Sequence, residues 1–375
     1  MRVLHVYSGN LYGGIESFLV TLARESARHA TGTVHEFALC FEGRLSEELR
    51  EAGAAVHPLG AARVGRPWTV WSARKALDVV LGAGAYSAVV CHAAWPQALF
   101  GAVVRAAGVP LVFYQHDALT GRHWLERWAR ATPPDLVLAN SRFTADSLRN
   151  VYPRATFRVR HPLVPAPVAP LPAQARAAIR AELGAGEGNV VIVCVSRMEA
   201  WKGHRLLLEA LARMREARGW RLWVVGGAQR EEEQRYVEGL HAQVRALGLE
   251  GRVRFLGQRS DVPTLLRAAD VHCQPNTSPE PFGLAFVEAL QAGLPVVTTA
   301  QGGPLEIVDA TCGVLVPPEA GALSVALLRL VADAEARGRL GAAGPARAAL
   351  LCEPSVFLRG FEEDLRDARP GSGQG

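Results

Sequence analysis

Lysine is nearly absent from this chain of 375 residues, because only Lys75 and Lys202 are lysines among its 41 basic residues. Lysine and arginine are not equivalent where a site needs a compact point charge, so Lys202 stands out before any motif is considered. The chain also lacks an uncharged apolar run of about 18 residues, the length that a membrane-spanning helix needs. We therefore expect no transmembrane helix.

Paired cysteines are missing as well, because the six cysteines are scattered along the chain. This spacing argues against a zinc ribbon and a redox pair, and it predicts buried thiols in a reducing compartment. The first residues read as a strand that runs into a loop at Gly9, without the cleavage site of a secretory signal. We expect a cytoplasmic protein.

The composition is that of a soluble globular protein, with 49% hydrophobic and 21% charged residues, and the length predicts two domains. The net charge is +5, and the basic excess lies in residues 1–165, where 18 basic residues accompany 12 acidic ones. Such an excess can serve a nucleic acid, an anionic lipid or an anionic substrate, or it is a solvated surface without a partner. We predict no nucleic-acid partner.

Strand and helix patterns alternate in the first half. Val3–Ser8 is a short apolar run that ends in a glycine turn, and Ile15–Ser26 carries apolar residues at helical spacing. Further strands are predicted at His35–Cys40, Ala88–Cys91, Leu111–Tyr114 and Leu136–Ala139. Strands that are apolar on both faces and separated by helices predict a parallel sheet covered on both sides.

A proline-rich linker at Pro162–Pro172 precedes a second unit of the same kind. Asn189–Val195 is predicted as a strand, and a loop and a helix at His204–Arg215 follow it. Further strands are predicted at Arg221–Val225, Val253–Leu256, Val271–Gln274 and Pro295–Thr298. The fold class is therefore α/β, with two doubly wound Rossmann-like domains that face each other across a cleft.

Two glutamates, Glu280 and Glu288, flank Pro281-Phe282-Gly283 after one of these strands, at the sheet edge where open α/β folds bind ligands. Helical periodicity begins near Phe282, which puts Glu280 just before a helix and Glu288 in its second turn. The first amides of that helix favour a phosphate or a polarised sugar oxygen, and carboxylates accept hydrogen bonds from sugar hydroxyls. Alternatively, Glu280 caps the helix and Glu288 lies on a solvated face.

The loop Ser196–Gly203 contains both Arg197 and Lys202. These two cations can converge on a diphosphate and neutralise the charge that builds on it as a sugar departs, which would replace a metal ion. The alternative is a basic surface loop. The scarcity of lysine favours the functional reading of Lys202.

Gly13 and Gly14 follow the first strand, and adjacent glycines let the backbone approach a ligand at the start of a helix. A glycine pair is common in strand-to-helix turns, so this signal is weak. It does not complete a Gly-x-Gly-x-x-Gly motif, which disfavours a dehydrogenase.

His116 follows the strand Leu111–Tyr114, where its ring can donate to a sugar hydroxyl. A structural role is equally open, and His5, His92 and His161 are competing candidates. No Gly-x-Ser-x-Gly motif or reactive cysteine setting points to nucleophilic catalysis instead.

Tryptophan and basic residues alternate in two stretches, Arg66–Lys75 and Arg122–Arg130. Stretches of this kind can lie on an anionic membrane surface. Ordinary amphipathic packing is the more common cause of such a pattern.

Together these residues resemble the family 4 retaining glycosyltransferases of GT-B fold. The most specific feature is the spacing of the paired glutamates, Glu280 and Glu288. Supporting matches are Ser196-Arg197 with Lys202-Gly203, Arg254–Gly257, Ala289–Val297, Gly302–Val308, Gly13-Gly14 and His116. One departure is Arg158–Pro162, which stands where the family usually carries an Asn-Gly pair.

The resemblance implies roles for individual residues. It implies that Arg197 and Lys202 bind the donor diphosphate, that Glu288 binds the ribose and that Arg259 lies by the nucleobase. Glu280 and the backbone of Phe282, Gly283, Leu284 and Ala285 would hold the sugar and phosphate. Gly13 and Gly14 would also contribute to the donor site, and His116 would touch the sugar from the opposite domain. Glu280, His116, Arg197 and Lys202 are thereby the candidate catalytic residues.

The resemblance further implies a hexosyltransferase of bacterial polysaccharide biosynthesis that uses a UDP- or GDP-linked sugar. The acceptor would be a hydroxyl of a glycan, a lipid-linked or a small molecule, and neither a metal ion nor a cofactor would be needed. The expected domains are residues 1–165, residues 166–358, and a helix from residue 359 that packs back on the first domain before a disordered tail. A nucleotide-sugar epimerase and a non-catalytic nucleotide-sugar-binding protein remain alternatives, as does peripheral association with the inner face of a membrane.

Overall fold

The computed structural model describes residues 1–165, 167 and 169–368. The chain divides into two compact units, the first formed by Met1–Pro165 with the residues from Cys352 onward, and the second by Ala166–Leu351. The described residues of the predicted linker belong to neither a helix nor a strand. The tail Arg369–Gly375, for which the sequence predicts disorder, lies outside the described residues.

The first unit is built on a seven-stranded parallel sheet in the order β3-β2-β1-β4-β5-β6-β7. Its strands are β1 Arg2–Tyr7, β2 Val34–Leu39, β3 Val56–Pro58, β4 Ala88–His92, β5 Leu111–Gln115, β6 Leu136–Ala139 and β7 Phe157–Val159. The helices are α1 Gly14–His29, α2 Arg44–Glu51, α3 Pro67–Ala83, α4 Ala94–Ala106, α5 Trp124–Arg130 and α6 Arg142–Leu148. Every residue of β4 and β5 is buried, as expected for central strands covered on both faces.

The second unit repeats this plan with a six-stranded parallel sheet in the order β10-β9-β8-β11-β12-β13. Its strands are β8 Val190–Val195, β9 Trp220–Val225, β10 Val253–Gly257, β11 Val271–Gln274, β12 Val296–Thr299 and β13 Gly313–Val316. The helices are α7 Ala173–Glu182, α8 His204–Arg213, α9 Glu231–Ala246, α10 Val262–Ala268, α11 Leu284–Gln291, α12 Pro304–Ile307, α13 Ala320–Ala332 and α14 Ala334–Cys352, and a 3₁₀ turn covers Ala200–Lys202. Trp220 and Trp223 are fully buried in the core of this unit.

The structure differs from the sequence predictions in two respects, each with its own cause. The strands β3, β7 and β13, which lie at sheet edges, were not predicted. In β3 and β7 partly exposed polar residues break the continuous apolar run that identifies a central strand, whereas β13 is apolar but only four residues long. Helix α11 begins at Leu284, two residues beyond Phe282, because Gly283 adopts a left-handed conformation with φ 106° and forms the helix N-cap.

Helix α15, Pro354–Asp367, returns the chain to the first unit. Phe357 and Phe361 pack in the same hydrophobic cluster as Leu163 and the strands β1 and β5. Arg158 donates to Asp364 Oδ1 at 2.7 Å, and Arg160 donates twice to Asp364 Oδ2 at 2.9 and 2.7 Å. The arginines that depart from the family pattern therefore hold α15 in place, and the return begins at Cys352, whereas the sequence predicted residue 359.

Both sheets have a point where the strand order reverses, between β1 and β4 in the first unit and between β8 and β11 in the second. At such a point two neighbouring strands send their connections to opposite faces of the sheet, which leaves a crevice at their carboxyl ends. In the second unit the loops that leave this crevice carry Lys202 and Glu280.

Candidate functional site

The loop after β8 and the segment after β11 are held together by close backbone contacts. The amide of Thr277 donates to the carbonyl of Trp201 at 2.8 Å. Gly203 has φ 79°, and a Cβ there would lie 1.8 Å from the carbonyl oxygen of Pro275, so a larger residue would push the two segments apart. Glycine at this position therefore lets the lysine loop lie directly against the end of β11.

Lys202 and Glu280 meet at this contact. Lys202 Nζ donates to Glu280 Oε2 at 2.7 Å, and the two side chains are only 14% and 9% exposed. The Lys202 ammonium also lies 3.9 Å from the centroid of the Trp201 ring. The pair is therefore largely removed from water. A cation and a carboxylate interact much more strongly in such a buried place than on an exposed surface.

Two further polar residues bind the same carboxylate, and sequence reasoning did not assign them to the site. Asn276 Nδ2 donates to Glu280 Oε2 at 2.7 Å, and Gln274 Nε2 donates to it at 3.3 Å. Gln274 Nε2 also donates to Asn276 Oδ1 at 2.8 Å. Buried polar residues at the end of an apolar strand were the signal that could have identified them.

The Arg197 guanidinium group contacts two carboxylates other than that of Glu280. Its Nη2 lies 2.9 Å from Glu199 Oε1 and 3.4 Å from Glu233 Oε1, while its Nε is buried without a hydrogen-bond partner among the described residues. Glu233 was not predicted as a site residue, because it lies in a run of three glutamates at the start of α9 that reads as an ordinary helix terminus. A joint role of Arg197 and Lys202 at a diphosphate stays a prediction.

The start of α11 is fixed by a glycine pair from the following strand-to-helix turn. The amide of Gly303 donates to the carbonyl of Glu280 at 2.7 Å, and Cβ atoms at Gly302 and Gly303 would collide with the backbone of Glu280 and Phe282. Phe282 itself is buried. Beyond Gly283, the first amides of α11, at Leu284 and Ala285, have no acceptors within the helix. These amides can bind an anion.

Glu288 lies in the second turn of α11, as the sequence predicts, and is partly exposed. Its carboxylate makes no hydrogen bond or ion pair with the described residues, and burial raises the pKa of the carboxyl above its usual value. Glu288 is thus less exposed than a residue on a fully solvated helix face, and its role in binding stays a prediction. An ionised carboxylate without a protein partner is suited to accept hydrogen bonds from a ligand.

Arg259 follows β10 and forms a two-pronged ion pair with Asp261, with distances of 2.7 Å from Nε to Oδ1 and from Nη2 to Oδ2. This ion pair fixes the plane of the Arg259 guanidinium group, and Asp261 occupies one edge of that group. The flat face of such a group can stack on an aromatic ring.

In the first unit, the glycine pair lies at the start of α1. Gly13 is the N-cap residue, and its amide donates to Glu16 Oε2 at 2.9 Å. The Glu16 carboxylate also accepts a hydrogen bond from Tyr7. A protein carboxylate is therefore already bound at the amide that the sequence assigned to a ligand, and the donor-binding role of Gly13 and Gly14 stays a prediction.

His116 is buried directly after β5, and its Nε2 lies 3.0 Å from His92 Nδ1. Burial lowers the pKa of His116 to about 3, so its ring is neutral. His5 and His92, which competed with His116 in the sequence analysis, lie in the same hydrogen-bonded cluster.

Five of the eight tryptophans form a patch on α3, α4 and α5 of the first unit: Trp68, Trp71, Trp95, Trp124 and Trp128. Trp68 and Trp71 are each 67% exposed, and α3 packs inward through Val70, Ala73, Leu77 and Leu81 instead. Trp95 and Trp124 are in edge-to-face contact with centroids 5.6 Å apart. Ordinary packing accounts for Trp128, which packs against the core, but not for the exposed Trp68 and Trp71. Trp95 was not assigned to this tryptophan patch from sequence.

The described residues contain no group of three or more histidine, cysteine, aspartate or glutamate side chains placed to hold a metal ion. Within the same residues, no helix combines the length and the apolar character needed to cross a bilayer. All six cysteines are buried free thiols.

Two family models match the chain, Glycosyltransferase Family 4 at residues 12–166 and Glycosyl transferases group 1 at residues 175–347. The chain belongs to glycosyltransferase family 4. Its solved structural neighbours include HepE of Anabaena, whose complex with UDP and glucose is 25% identical over 98% of this chain and 100% of that one, with a TM-score of 0.85. HepE has also been solved with UDP-glucose. This likeness shows the GT-B fold predicted from the sequence.

Among curated members of family 4, the D-inositol 3-phosphate glycosyltransferase of Segniliparus rotundus is 34% identical over 51% of this chain and 44% of its own length. The lipopolysaccharide core biosynthesis glycosyltransferase LpsE of Rhizobium meliloti is 33% identical over 44% of this chain and 46% of its own length. The chain thus spans less than half the length of these two relatives.

Proposed function

We propose that this chain transfers a hexosyl group from a nucleoside diphosphate sugar to a hydroxyl acceptor, with retention of the anomeric configuration and without a metal ion. The observation that carries the proposal is the cluster of Lys202, Glu280 and Asn276 at the neighbouring ends of β8 and β11. The cluster joins a cation to a carboxylate that stands four residues before α11, whose first amides have no acceptors within the helix, at the strand ends where this fold binds ligands.

In this proposal the parts of the donor are divided among the residues of the second unit. Arg197, Lys202 and the first amides of α11 bind the diphosphate, and Glu280 binds the transferred sugar. Glu288, whose carboxylate has no partner among the described residues, accepts hydrogen bonds from the ribose hydroxyls. Arg259 stacks its fixed guanidinium face on the nucleobase.

Lys202 stabilises the leaving diphosphate in the proposed reaction. As the bond from the anomeric carbon to the phosphate oxygen breaks, negative charge grows on the diphosphate, and a nearby ammonium group shielded from water lowers the energy of that state. Positive side chains thereby take the role that a metal ion has in other enzymes of phosphate chemistry.

The hydrogen bonds of Glu280 support retention of the anomeric configuration by front-face attack. Glu280 Oε2 accepts hydrogen bonds from Lys202, Asn276 and Gln274, and these contacts make it a weak nucleophile. A covalent glycosyl intermediate of the glycosidase kind is therefore disfavoured. We propose that the acceptor hydroxyl attacks from the side of the departing phosphate, which takes up its proton.

The solved complexes of HepE favour UDP-glucose as the first donor to test, and GDP sugars come second. The names of the curated relatives favour an inositol phosphate, a lipopolysaccharide core or a related glycan as acceptor. We propose the class of acceptor alone, a hydroxyl of a glycan, a lipid-linked or a small molecule.

A thermal-shift series with UDP, GDP, ADP and their sugars identifies the donor. A ligand at about 100 times its Kd stabilises the folded state by about 2.7 kcal/mol, so the correct nucleotide produces the largest rise in melting temperature. Release of nucleoside diphosphate is then measured with and without acceptor. Acceptor-dependent release supports the transferase, whereas conversion of the sugar without an acceptor would indicate an epimerase, and binding without turnover a non-catalytic protein.

We further propose that the tryptophan patch binds the anionic inner surface of a membrane. The patch is interleaved with cations, because the Arg74 guanidinium lies 5.6 Å from the Trp128 ring and Lys75 Nζ lies 5.6 Å from the Trp71 ring. Arg66 is exposed beside Trp68. Tryptophan rings insert at the headgroup level while arginine and lysine attract anionic lipids, which fits a lipid surface better than an apolar partner.

Sedimentation with vesicles tests this surface. We expect the protein to pellet with vesicles that contain anionic lipid and much less with neutral vesicles, and added salt should release it. The double variant Trp68→Ala/Trp71→Ala should lose most of this binding, while Leu350→Ala, an equally exposed apolar residue of the second unit, should not. Absence of binding to both vesicle types would remove the proposal.

A further inference from the structure

Four buried histidines form a continuous hydrogen-bonded ladder across the sheet of the first unit. His35 lies on β2, His5 on β1, His92 on β4 and His116 directly after β5, and these four strands are neighbours. The separations are 2.8 Å from His35 Nδ1 to His5 Nε2, 2.9 Å from His5 Nδ1 to His92 Nε2, and 3.0 Å from His92 Nδ1 to His116 Nε2. Each link therefore joins one Nδ1 to one Nε2.

All four rings of this histidine ladder are neutral. Each is at least nine-tenths buried, His5 stacks on His92 and on Phe37, and His92 stacks on His116. Burial lowers the pKa of His35 to about 4 and that of His5 and His92 well below the usual value. A neutral imidazole carries one N–H donor and one bare nitrogen.

The tautomers of the ladder are therefore coupled. Every link needs one donor and one acceptor, so a choice at one ring fixes the other three. In one arrangement all four protons lie on Nε2 and donation runs from His116 toward His35. In the other all four lie on Nδ1 and donation runs toward His116, whose Nδ1 is the ring nitrogen without a hydrogen bond to the described residues.

The far end of the ladder distinguishes the two arrangements. His35 Nε2 is buried without a hydrogen-bond partner among the described residues. The carboxylate of Glu362 on α15 is held beside β2 by Thr33 Oγ1, at 2.5 Å, and the neighbouring Phe361 ring stacks on His35. Burial lowers the pKa of His35, and the nearby negative charge of Glu362 partly opposes that shift. A nearby negative charge favours an N–H over a lone pair at His35 Nε2.

We propose that the ladder of His35, His5 and His92 fixes the tautomer of His116, with the proton on Nε2 and a bare Nδ1. His35, His5 and His92 are then positioning residues, and Glu362 sets the direction of the chain. His116 thus presents an acceptor and binds a ligand hydroxyl by accepting its proton in a hydrogen bond. This reverses the donor role that the sequence suggested. Only the identity of that hydroxyl rests on the proposed function, because the tautomer is a property of the protein alone.

Nitrogen NMR of the full chain with ¹⁵N-labelled histidine measures the tautomers directly and needs no ligand. Long-range proton–nitrogen correlations separate protonated from bare ring nitrogens, and single His→Gln variants assign the four residues. We expect a protonated Nε2 and a bare Nδ1 at His116 and at its three partners. A protonated Nδ1 at His116, or a charged ring, would overturn the proposal.

A matched pair of variants on α15 tests the role of the distant carboxylate. Glu362→Gln removes the charge and keeps the shape, so the His116 signals should move toward those of a mixture of tautomers. Glu363→Gln removes an exposed charge from the next position of the same helix and should leave them unchanged. Unchanged His116 signals in a folded Glu362→Gln protein would contradict the directing role of Glu362. Both NMR experiments test the tautomer proposal even if no transferase activity is found, because neither needs a ligand.

Discussion

Lys202 Nζ and Glu280 Oε2 lie 2.7 Å apart, although 78 positions separate the two residues in the chain. The contact exists because β8 and β11 are neighbours in the sheet and because Gly203 lets their loops approach. A ligand phosphate that binds Lys202 must therefore share the ammonium group with Glu280. In the proposed reaction, binding of the diphosphate and placement of the carboxylate are therefore coupled through this contact.

Replacement of Lys202 should slow sugar transfer strongly. We expect Lys202→Ala to lower turnover by at least about tenfold, since a charge-assisted contact to a leaving group is worth roughly 1.5 to 3 kcal/mol. Lys202→Arg should restore little, because a planar guanidinium does not replace a compact ammonium. Release of nucleoside diphosphate is the measurement, and Arg215→Ala, which breaks an exposed ion pair with Glu216, is the control. Full turnover in a folded Lys202→Ala protein would exclude the phosphate role.

Glu288 should contribute to ribose binding at a cost in stability. Glu288→Gln should weaken binding of UDP more than that of its 2′-deoxy analogue, which lacks one of the hydroxyls, and calorimetric titration measures both affinities. Equal losses for the two ligands would argue against a contact to that hydroxyl.

The same variant should melt at a higher temperature than the natural protein at neutral pH. The folded-state pKa of Glu288 is raised above 4.5, so its contribution to stability is present at low pH and is lost as pH rises through that pKa. Glutamine cannot ionise, and the difference in melting temperature should therefore shrink as the pH falls toward 4.5. A lower melting temperature of Glu288→Gln at neutral pH would show that the ionised carboxylate stabilises the folded protein.

Gly203 should be intolerant of a side chain for a reason beyond its backbone angle. Gly203 and Gly248 both have positive φ, 79° and 66°, but only at Gly203 would a Cβ collide with another segment. Gly248→Ala should cost about 1 to 2 kcal/mol of unfolding free energy, and Gly203→Ala should cost more and should also reduce donor affinity. Urea unfolding and nucleotide titration of the two variants give the comparison, and equal effects on both properties would contradict it.

Chelation should leave the reaction intact. Arg197, Lys202 and the amides of α11 supply the positive potential around the proposed diphosphate site, so we expect EDTA not to change the rate of nucleoside diphosphate release. Magnesium should likewise give no stimulation. A rate that falls with EDTA and recovers with magnesium would show that these groups do not stabilise the departing diphosphate without a metal ion.

Much of the fold could be predicted because central parallel strands are apolar on both faces, and β4 and β5 are examples in which every residue is buried. Glu280 and Lys202 were also singled out from sequence, since both follow such strands and glycines or prolines mark the turns. The structure brings the two side chains into contact, and their roles stay predictions. The edge strands β3 and β7 were missed because partial exposure removes the apolar run.

Contacts between distant segments could not be predicted in the same way. Glu233 binds Arg197 from a helix whose start reads as an ordinary acidic N-terminus, and Glu362 of the last helix accepts a hydrogen bond from Thr33, next to the strand that carries His35. Local patterns in a single sequence predict strands and turns. The contacts of Arg197 with Glu233 and of Thr33 with Glu362, across 36 and 329 positions, depend instead on how the helices pack.

The return of α15 to the first unit has a consequence for synthesis of the chain. Phe357 and Phe361 complete the core that β1 begins, so the ribosome must release the whole of residues 166–351 before the first unit can close. The second unit can fold while the first still exposes an apolar surface. The usual order, in which the amino-terminal domain folds first, is therefore reversed for completion of these two cores.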